Sequence, residues 1–119
     1  MTTFTQGYLT GEWLISEADG TRSRDVKTVT VAGGVALPSG TVLGKITATG
    51  KLIKYLDAAS DGSQTAVGIL LNDLPATNGD YQAVVFTRDV EAIGAILNGG
   101  SGVDANGTAD LLALGIVLR

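Results

Sequence analysis

Three short apolar runs between Gly40 and Leu71 constrain the fold of this chain more than any other feature. The runs are Val42 to Ile46, Leu52 to Leu56 and Val67 to Leu71, and they are separated by the turn-forming groups Thr49-Gly50 and Ser60 to Ser63. Runs of this length that are rich in Val, Ile and Leu and bounded by Gly, Ser and Asp are typical of buried β-strands. The stretch therefore predicts the centre of a β-sheet.

The flanking sequence adds further strands. Val26 to Val31 and Tyr81 to Thr87 are rich in β-branched or aromatic residues and predict a strand on either side. Leu37 to Gly40 has Pro second and Gly fourth, which favours a type I turn. The Asn78-Gly79 pair favours a tight reversal before the later strand.

The C-terminal third mixes helical and strand signals. Asp89 to Leu97 fits either a strand or a short helix, and both interpretations stay open. Thr108 is the predicted N-cap of a short helix that has Asp110 in its first turn and ends at Gly115. Ile116 to Leu118 then predicts a closing strand. The sequence as a whole therefore predicts six or seven strands and one or two short helices, which is a mostly β fold.

Composition favours one domain that associates with other subunits. A chain of 119 residues can bury roughly two thirds of its unfolded surface around one core. Because only two Phe, three Tyr and one Trp are present among 45% hydrophobic residues, that core must be mainly aliphatic. The mean hydropathy of +0.29 is high for a small soluble protein and predicts that another subunit or partner covers some apolar surface.

Charge and segment composition argue against nucleic-acid and membrane partners. The formal net charge is -4, and only Arg22 to Lys27 gathers three basic residues, with Asp25 among them. A mixed-charge loop of this kind is more typical of a solvated surface than of a phosphate-binding patch. The N-terminus lacks a basic start and an apolar segment, and no apolar run approaches ~20 residues, so we expect a soluble, unexported protein.

The residue types available for catalysis are few, which predicts a protein that is not an enzyme. The chain has no His and no Cys, so it lacks the usual nucleophilic triads and structural zinc sites, and we expect no metal and no cofactor. Asp89 and Glu91 would share one face of a strand, where they could act as an acid and base pair or simply as edge charge.

Two apparent binding motifs fail on inspection of their spacing. Asp57 to Gly62 begins like a calcium-binding loop but lacks the later bidentate Glu, so it predicts a turn. Gly100 to Ala105 fits the dinucleotide fingerprint GxGxxA, but more loop follows it where a helix should open. Neither supports a ligand site.

The N-terminal residues form a distinct segment. Residues 1–11 are small and polar, which predicts a mobile arm. Trp13, Leu14 and Ile15 follow as a brief apolar patch that holds the only Trp. Trp13 has two open interpretations: an anchor at a binding interface, or a side chain that packs on the protein's own core.

Five motifs in order along the chain resemble the phage lambda-type head decoration protein D family. They are GEWLISEADGTRSRD at 11–25, TVLGKITATGKLIKY at 41–55, AASDGSQTAVGIL at 58–70, NDLPATNGD with AVVFTRDVE at 72–91, and LLALGIVLR at 111–119. Residues 95–109 depart from the family pattern, which commonly has a Trp-Pro step and a longer Ala-rich helix there.

The resemblance implies a β-clip-like small barrel that forms a homotrimer and binds the major capsid protein. Such a protein would be made in the host bacterial cytoplasm and would decorate the outer surface of the expanded head at three-fold positions, where it resists the pressure of packaged DNA. It implies a flexible capsid-binding arm at residues 1–25 and a β-rich decoration domain at residues 26–119. Within the arm, Trp13, Leu14 and Ile15 are the predicted capsid-binding residues.

The same β-clip architecture is compatible with two other functions. One is a trimeric host-binding or glycan-binding appendage of the virion, which the same architecture could serve. The other is a nucleotide hydrolase on a related β-clip scaffold, which the missing acidic, Ser and Tyr motifs disfavour.

Overall fold

A closed five-stranded barrel and a separate three-stranded sheet make up the fold. The structure is a computed structural model that describes residues 11–18 and 22–119. Its elements in these ranges are β1 (Leu14–Glu17), β2 (Arg24–Val31), β3 (Val42–Lys45), β4 (Leu52–Lys54), β5 (Ala66–Leu70), β6 (Gly79–Phe86), β7 (Val90–Ala92), two 3₁₀ segments (Gly94–Ile96 and Asn98–Gly100), α1 (Ala105–Ala113) and β8 (Ile116–Leu118). The predicted mostly β, single-domain small barrel is confirmed.

The barrel has the strand order β2-β4-β3-β5-β6 and closes between β6 and β2. The longest ladder joins β2 to β6 in antiparallel register from Arg24 opposite Phe86 to Val31 opposite Gly79. Contact between β2 and β4 is parallel and has a single residue pair, Val29 with Leu52. The single pair between β2 and β4 leaves most of that edge of β2 without a strand partner, so free strand edges of the described chain lie in both sheets.

The second sheet has the order β1-β7-β8 and, together with α1, forms a layer against one side of the barrel. Strand β7 is central, antiparallel to β1 and parallel to β8. Helix α1 leads into β8, and Asp110 on the helix accepts a hydrogen bond from the backbone N–H of Ala66 on β5 at 3.0 Å. This bond fixes the helix to the barrel.

Two groups of buried side chains hold the layers together. The barrel core fills the barrel and consists of Val29, Val31, Leu37, Leu43, Leu52, Leu70, Leu74, Ala83 and Val85. The interlayer core lies between the barrel and the second layer and consists of Trp13, Val42, Tyr55, Ala66, Ile69, Phe86, Val90, Ala92, Leu97, Leu111 and Ile116.

Strands β3, β5 and β6 form a wall shared by both cores. Successive residues in each strand point to opposite sides, so Val42 enters the interlayer core and its neighbour Leu43 enters the barrel core. Ile69 and Leu70 divide in the same way, and so do Phe86 and Val85. Burial on both faces explains why these strands have continuous apolar runs in place of alternation.

The predicted strands of the barrel are confirmed with boundaries shifted by a few residues at most. The segment from Asp89 to Leu97, left open between strand and helix, contains both, namely β7 and then the 3₁₀ turn Gly94–Ile96. Asn78-Gly79 is not the tip of a tight hairpin, because β5 ends at Leu70 and Gly79 already belongs to β6.

Two other local predictions are wrong in detail. The turn after Leu37 closes between the N–H of Thr41 and the carbonyl of Pro38, one residue later than predicted. Gly40 is then its third residue with φ of +90°, which is the type II geometry. Helix α1 starts at Ala105, before Thr108, and its N-cap is Asp104, whose carboxylate accepts from the N–H of Gly107 at 2.7 Å. Asp110 therefore lies beyond the first turn, whereas the predicted helix end at Gly115 is confirmed by its φ of +82°.

No helix in the described part of the chain combines the length and apolar character needed to span a membrane.

Candidate functional site

Trp13 ties the N-terminal segment to the domain. Its side chain is 1% exposed, and its ring meets Phe86 edge to face with centroids 5.3 Å apart. The indole Nε1 donates to Ser39 Oγ at 3.0 Å, so the one polar atom of the ring is satisfied inside the interlayer core. Of the two interpretations open from the sequence, the structure shows Trp13 packed in the protein's own core. Its contact with a capsid stays a prediction.

The turn at Ser39 and Gly40 is built to receive Trp13. Ser39 Oγ also accepts from the N–H of Gly11 at 2.9 Å, and the N–H of Ser39 donates to Asp73 at 2.7 Å. A Cβ on Gly40 would approach the Trp13 ring to 2.8 Å, so only glycine lets the indole lie this close to the turn. Sequence reasoning missed these contacts because Ser and Gly in a turn are common for local reasons.

Strand β1 contains a bulge that centres on Ile15. Leu14 lies opposite Ala92, whereas Ser16 lies opposite Glu91, so Ile15 is the additional residue between two regular pairs. A bulge re-aims the side chain of the extra residue. Ile15 is 47% exposed, whereas Leu14 is half-buried against the interlayer core. The three predicted capsid-binding residues are therefore adjacent in space but differ sharply in exposure.

The predicted arm of residues 1–25 is only partly described. Residues 1–10 and 19–21 lie outside the described residues, and the predicted mobility of residues 1–11 falls almost entirely on them. Of the remainder, Leu14–Glu17 pair with β7, and Arg24 and Asp25 begin β2. These described residues belong to the two sheets. The capsid-binding role of the segment stays a prediction.

An ion pair between Arg24 and Glu17 lies at the C-terminal end of the segment 1–25. The Arg24 guanidinium donates two hydrogen bonds to the Glu17 carboxylate, from Nε at 2.9 Å and from Nη2 at 2.6 Å. These bonds lower the pKa of Glu17 and raise that of Arg24. The same guanidinium lies 5.1 Å from the centre of the Phe86 ring. The Phe86 ring therefore contacts a side chain from each end of the segment, Trp13 and Arg24.

Ion pairs neutralise part of the charge in the stretch from Arg22 to Lys27. Arg22 pairs with Asp89 at 3.2 Å. Asp25 accepts from Thr87 at 2.8 Å and from Arg88 at 2.6 Å, and these bonds lower its pKa. Paired charges of this kind are typical of a solvated surface and offer little net positive potential to a phosphate backbone.

Asp89 and Glu91 each face an arginine. Asp89 contacts Arg22, while Glu91 accepts two hydrogen bonds from Arg119 at 3.0 and 3.4 Å. The Arg119 bonds lower the pKa of Glu91, which is the opposite of what an acid that shares a proton requires. The geometry therefore favours surface charge over an acid and base pair.

The two weak ligand motifs form local structure. Asp61 Oδ1 accepts from the N–H of Ser63 at 3.0 Å and from its hydroxyl at 2.6 Å, so the predicted turn is confirmed. Gly100 ends the 3₁₀ segment Asn98–Gly100, and a helix, α1, opens at Ala105 where the sequence predicted more loop. The strand that must precede a dinucleotide motif is missing, so the motif still lacks its context. Within residues 11–18 and 22–119, no group of three or more acidic, His or Cys side chains has the geometry to hold a metal ion.

Comparison with protein families assigns this architecture. A family model described as bacteriophage lambda head decoration protein D matches residues 3–116, nearly the whole chain. The chain belongs to the bacteriophage lambda head decoration protein D family. No curated protein matches the chain individually.

Membership in the head decoration protein D family assigns a broad role. The family is one of structural capsid decoration proteins, so the chain is a phage head decoration protein and its location is the capsid of the virion. The segment around β1 combines an exposed apolar side chain with a strand edge that has no strand partner among the described residues. We therefore take it as the candidate contact surface.

Proposed function

We propose that this protein binds as a homotrimer to the outer surface of the expanded capsid, at three-fold positions, and stabilises the shell against the pressure of packaged DNA. The family match over residues 3–116 is the observation that carries the proposal. A ligand that binds the expanded shell and not its precursor stabilises the expanded state by mass action, without any catalytic step.

The proposed contact with the major capsid protein is made by residues 1–25. Strand β1 is the edge strand of its sheet, and the edge that faces away from β7 has no strand partner among the described residues. Extended segments at such edges bind by adding a strand to a partner sheet, where main-chain hydrogen bonds supply affinity. The capsid protein would contribute the complementary edge.

Trp13, Leu14 and Ile15 have different parts in the proposed contact. Trp13 is held by Ser39 and Phe86, so it fixes the start of β1 on the domain. Ile15 is turned outward by the bulge and offers its side chain directly to a partner. Leu14 is less exposed than Ile15 and more exposed than Trp13, and it connects the buried Trp13 to the exposed Ile15.

Exposed apolar surface away from β1 supports the proposed trimer. A groove beside β2 and β4 is lined by Leu37 and Ile53 and flanked by Val35 and Leu56, which are 56% and 59% exposed. Neighbouring exposed apolar side chains of this kind mark surfaces that are covered on association. Three subunits would present three contact segments at once, so modest affinity per segment becomes strong attachment.

Co-sedimentation with phage shells tests the proposal. The full-length protein is mixed with unexpanded and with expanded shells, together with the Ile15→Ser variant and a Leu112→Ser control. Leu112 is 60% exposed on α1, so the control removes a comparable exposed side chain at a different place. We expect binding to expanded shells only, a large loss for Ile15→Ser and none for Leu112→Ser.

Removal of residues 1–10 is a sharper truncation than removal of residues 1–25. The longer deletion removes Trp13 and the start of β2 and would damage the fold, whereas the shorter one leaves the described elements intact. Binding to both shells, or to neither, would contradict the proposal. Attachment to bacterial cells in place of shells would support a host-binding or glycan-binding appendage. Sedimentation equilibrium of the free protein tests the trimer directly.

A further inference from the structure

Asn is followed directly by Gly at three places, Asn78-Gly79, Asn98-Gly99 and Asn106-Gly107. Such pairs are chemically labile because glycine has no side chain to obstruct its own backbone nitrogen. That nitrogen attacks the Asn Cγ, the C–N bond to the side-chain amide breaks, and ammonia leaves. Water then opens the cyclic imide to give aspartate or isoaspartate, so the reaction requires water alone.

We propose that Asn78 is a site of spontaneous deamidation in the folded protein and that the fold protects Asn98 and Asn106. The inference rests on the different surroundings of the three pairs and is independent of the proposed capsid role.

Asn78 is open to attack and to loss of its amide. Both Asn78 and Gly79 are exposed, and a Cβ on Gly79 would contact only the edge of the Tyr81 ring, at 4.0 Å. One side-chain hydrogen bond holds Asn78, from the N–H of Gly34 to Oδ1 at 2.7 Å. The side-chain nitrogen, which must leave, has no acceptor within the described chain.

Asn98 is held at both ends of its amide. Its Oδ1 accepts from the N–H of Val42 at 2.8 Å, and its Nδ2 donates to the carbonyl of Gly102 at 2.9 Å. Its backbone N–H is bonded to the carbonyl of Gly40, and its φ is +55°. Rotation of the Asn98 Cγ toward the nitrogen of Gly99 must therefore break two side-chain hydrogen bonds, whereas the corresponding rotation at Asn78 breaks one.

Asn106 is protected by the first turn of α1. The attacking nitrogen, that of Gly107, already donates to the Asp104 carboxylate at 2.7 Å. Gly107 is also enclosed, since a Cβ there would lie 2.8 Å from Val103 and 3.0 Å from Tyr55. Helical backbone between the two residues keeps this nitrogen away from the Asn106 Cγ, and the leaving nitrogen donates to Asp57 at 3.1 Å.

Deamidation at Asn78 would alter the start of β6. Isoaspartate adds a methylene to the backbone immediately before the pair between Gly79 and Val31, which disturbs the register at that end of the ladder. Either product places a new carboxylate close in sequence to Asp80, which already accepts hydrogen bonds from Thr30 and Lys51. We expect the modified protein to lose the end of the β2 and β6 ladder first.

Ageing of the pure full-length protein tests the proposal. The folded protein is incubated in mildly alkaline buffer, and peptide mapping by mass spectrometry follows the mass gain of deamidation at each Asn. A matched sample in denaturant reports the reactivity of the same sequence without the fold. We expect Asn78 to react roughly fivefold or more faster than Asn98 in the folded sample, the factor that one additional hydrogen bond corresponds to.

The two samples distinguish the role of the fold from that of the sequence. In denaturant the rates at the three Asn-Gly pairs should converge, because local sequence is then the main influence. Reaction at Asn98 or Asn106 as fast as at Asn78 in the folded sample would overturn the proposal. Protection of all three pairs in the folded sample would overturn it as well.

Discussion

The two cores of this small protein contain different types of side chain. The barrel core is entirely aliphatic and is supplied by β2 to β6 and their connections. The interlayer core collects side chains from residue 13 to residue 116 and includes Trp13, Tyr55 and Phe86. Two of these aromatic side chains carry polar atoms that need partners, and the partners are Ser39 for Trp13 and Asp104 for Tyr55. The barrel core therefore depends on volume alone, whereas the interlayer core depends on volume and on specific hydrogen bonds.

Replacement of Trp13 by Ala should have the largest effect of the changes considered. It removes the largest side chain of the interlayer core and leaves a cavity beside Phe86, so we expect a loss of about 3–5 kcal/mol in the free energy of unfolding. Urea unfolding at fixed protein concentration measures it, because self-association makes apparent stability depend on concentration.

Two control variants separate volume from hydrogen bonding at this site. Trp13→Phe retains most of the ring but loses the donor to Ser39, so it should recover part of the stability and not all of it. Leu43→Ala makes a cavity in the barrel core, where no polar atom is orphaned, and should cost about 2–5 kcal/mol. A Trp13→Ala loss below about 1 kcal/mol would show that the second layer contributes little to folding.

Substitution of Gly40 by Ala tests the tight fit between the turn and the indole. The added methyl would approach the Trp13 ring to 2.8 Å, and the φ of +90° is strained for any L residue with a side chain. We expect a loss of about 1–3 kcal/mol, measured by the same urea titration. In the Trp13→Ala background the steric part of this loss should disappear, and persistence of the full loss would assign it to the backbone alone.

Asp104→Ala removes two contacts of the interlayer core that hold α1. Its carboxylate caps the helix through the N–H of Gly107 and accepts from the Tyr55 hydroxyl at 2.8 Å. Burial and this carboxylate both raise the pKa of Tyr55, so the hydroxyl stays protonated and remains a donor. We expect a loss of about 0.5–2 kcal/mol in thermal or urea unfolding. Asp104→Asn retains a capping oxygen and should lose less; equal losses would point away from capping.

The barrel could be predicted from sequence because strands β3, β5 and β6 contain apolar runs whose burial on both faces leaves a direct compositional signal. The second layer could not be predicted in the same detail. Strand β8 has the bounds predicted for it, Ile116 to Leu118. Strand β7, however, has only three residues, too few for a period, and the pairing of β1 with β7 joins residues that are far apart in the chain.

The candidate site was also predictable only in part, because composition shows where apolar residues occur but not which of them are buried. An apolar patch at Trp13, Leu14 and Ile15 is visible in the sequence, but its division between a buried Trp and an exposed Ile depends on a bulge. A single additional residue in a ladder leaves no mark in composition or period. Burial of Trp13 likewise depends on Ser39 and Gly40, which read only as turn residues without the fold.

The smallest predicted effect concerns the ion pair that borders the interlayer core, and it appears as a dependence on pH. Glu17 has a pKa below its ordinary value of 4.5 because Arg24 donates hydrogen bonds to its carboxylate. A carboxyl whose pKa is lower in the folded state stabilises that state above the unfolded-state pKa. This contribution is lost as the pH falls through the lowered, folded-state pKa.

Glu17→Gln should therefore reduce stability at neutral pH by about 0.5–1 kcal/mol, since the pair is partly exposed and solvent weakens it. The difference between the variant and the parent should begin to shrink as the pH falls below 4.5, where the carboxyl of the unfolded chain binds protons, and should vanish below the lowered pKa of the folded state. Urea unfolding at several pH values measures this convergence. Glu91→Gln serves as the control, because it breaks the pair with Arg119 at the C-terminal end of the second sheet, away from the Phe86 ring. If both variants show the same pH dependence, the contact of Arg24 with Phe86 adds nothing to the stability that an ordinary surface ion pair contributes. The Glu17 and Arg24 pair would then behave as solvated surface charge at the border of the interlayer core.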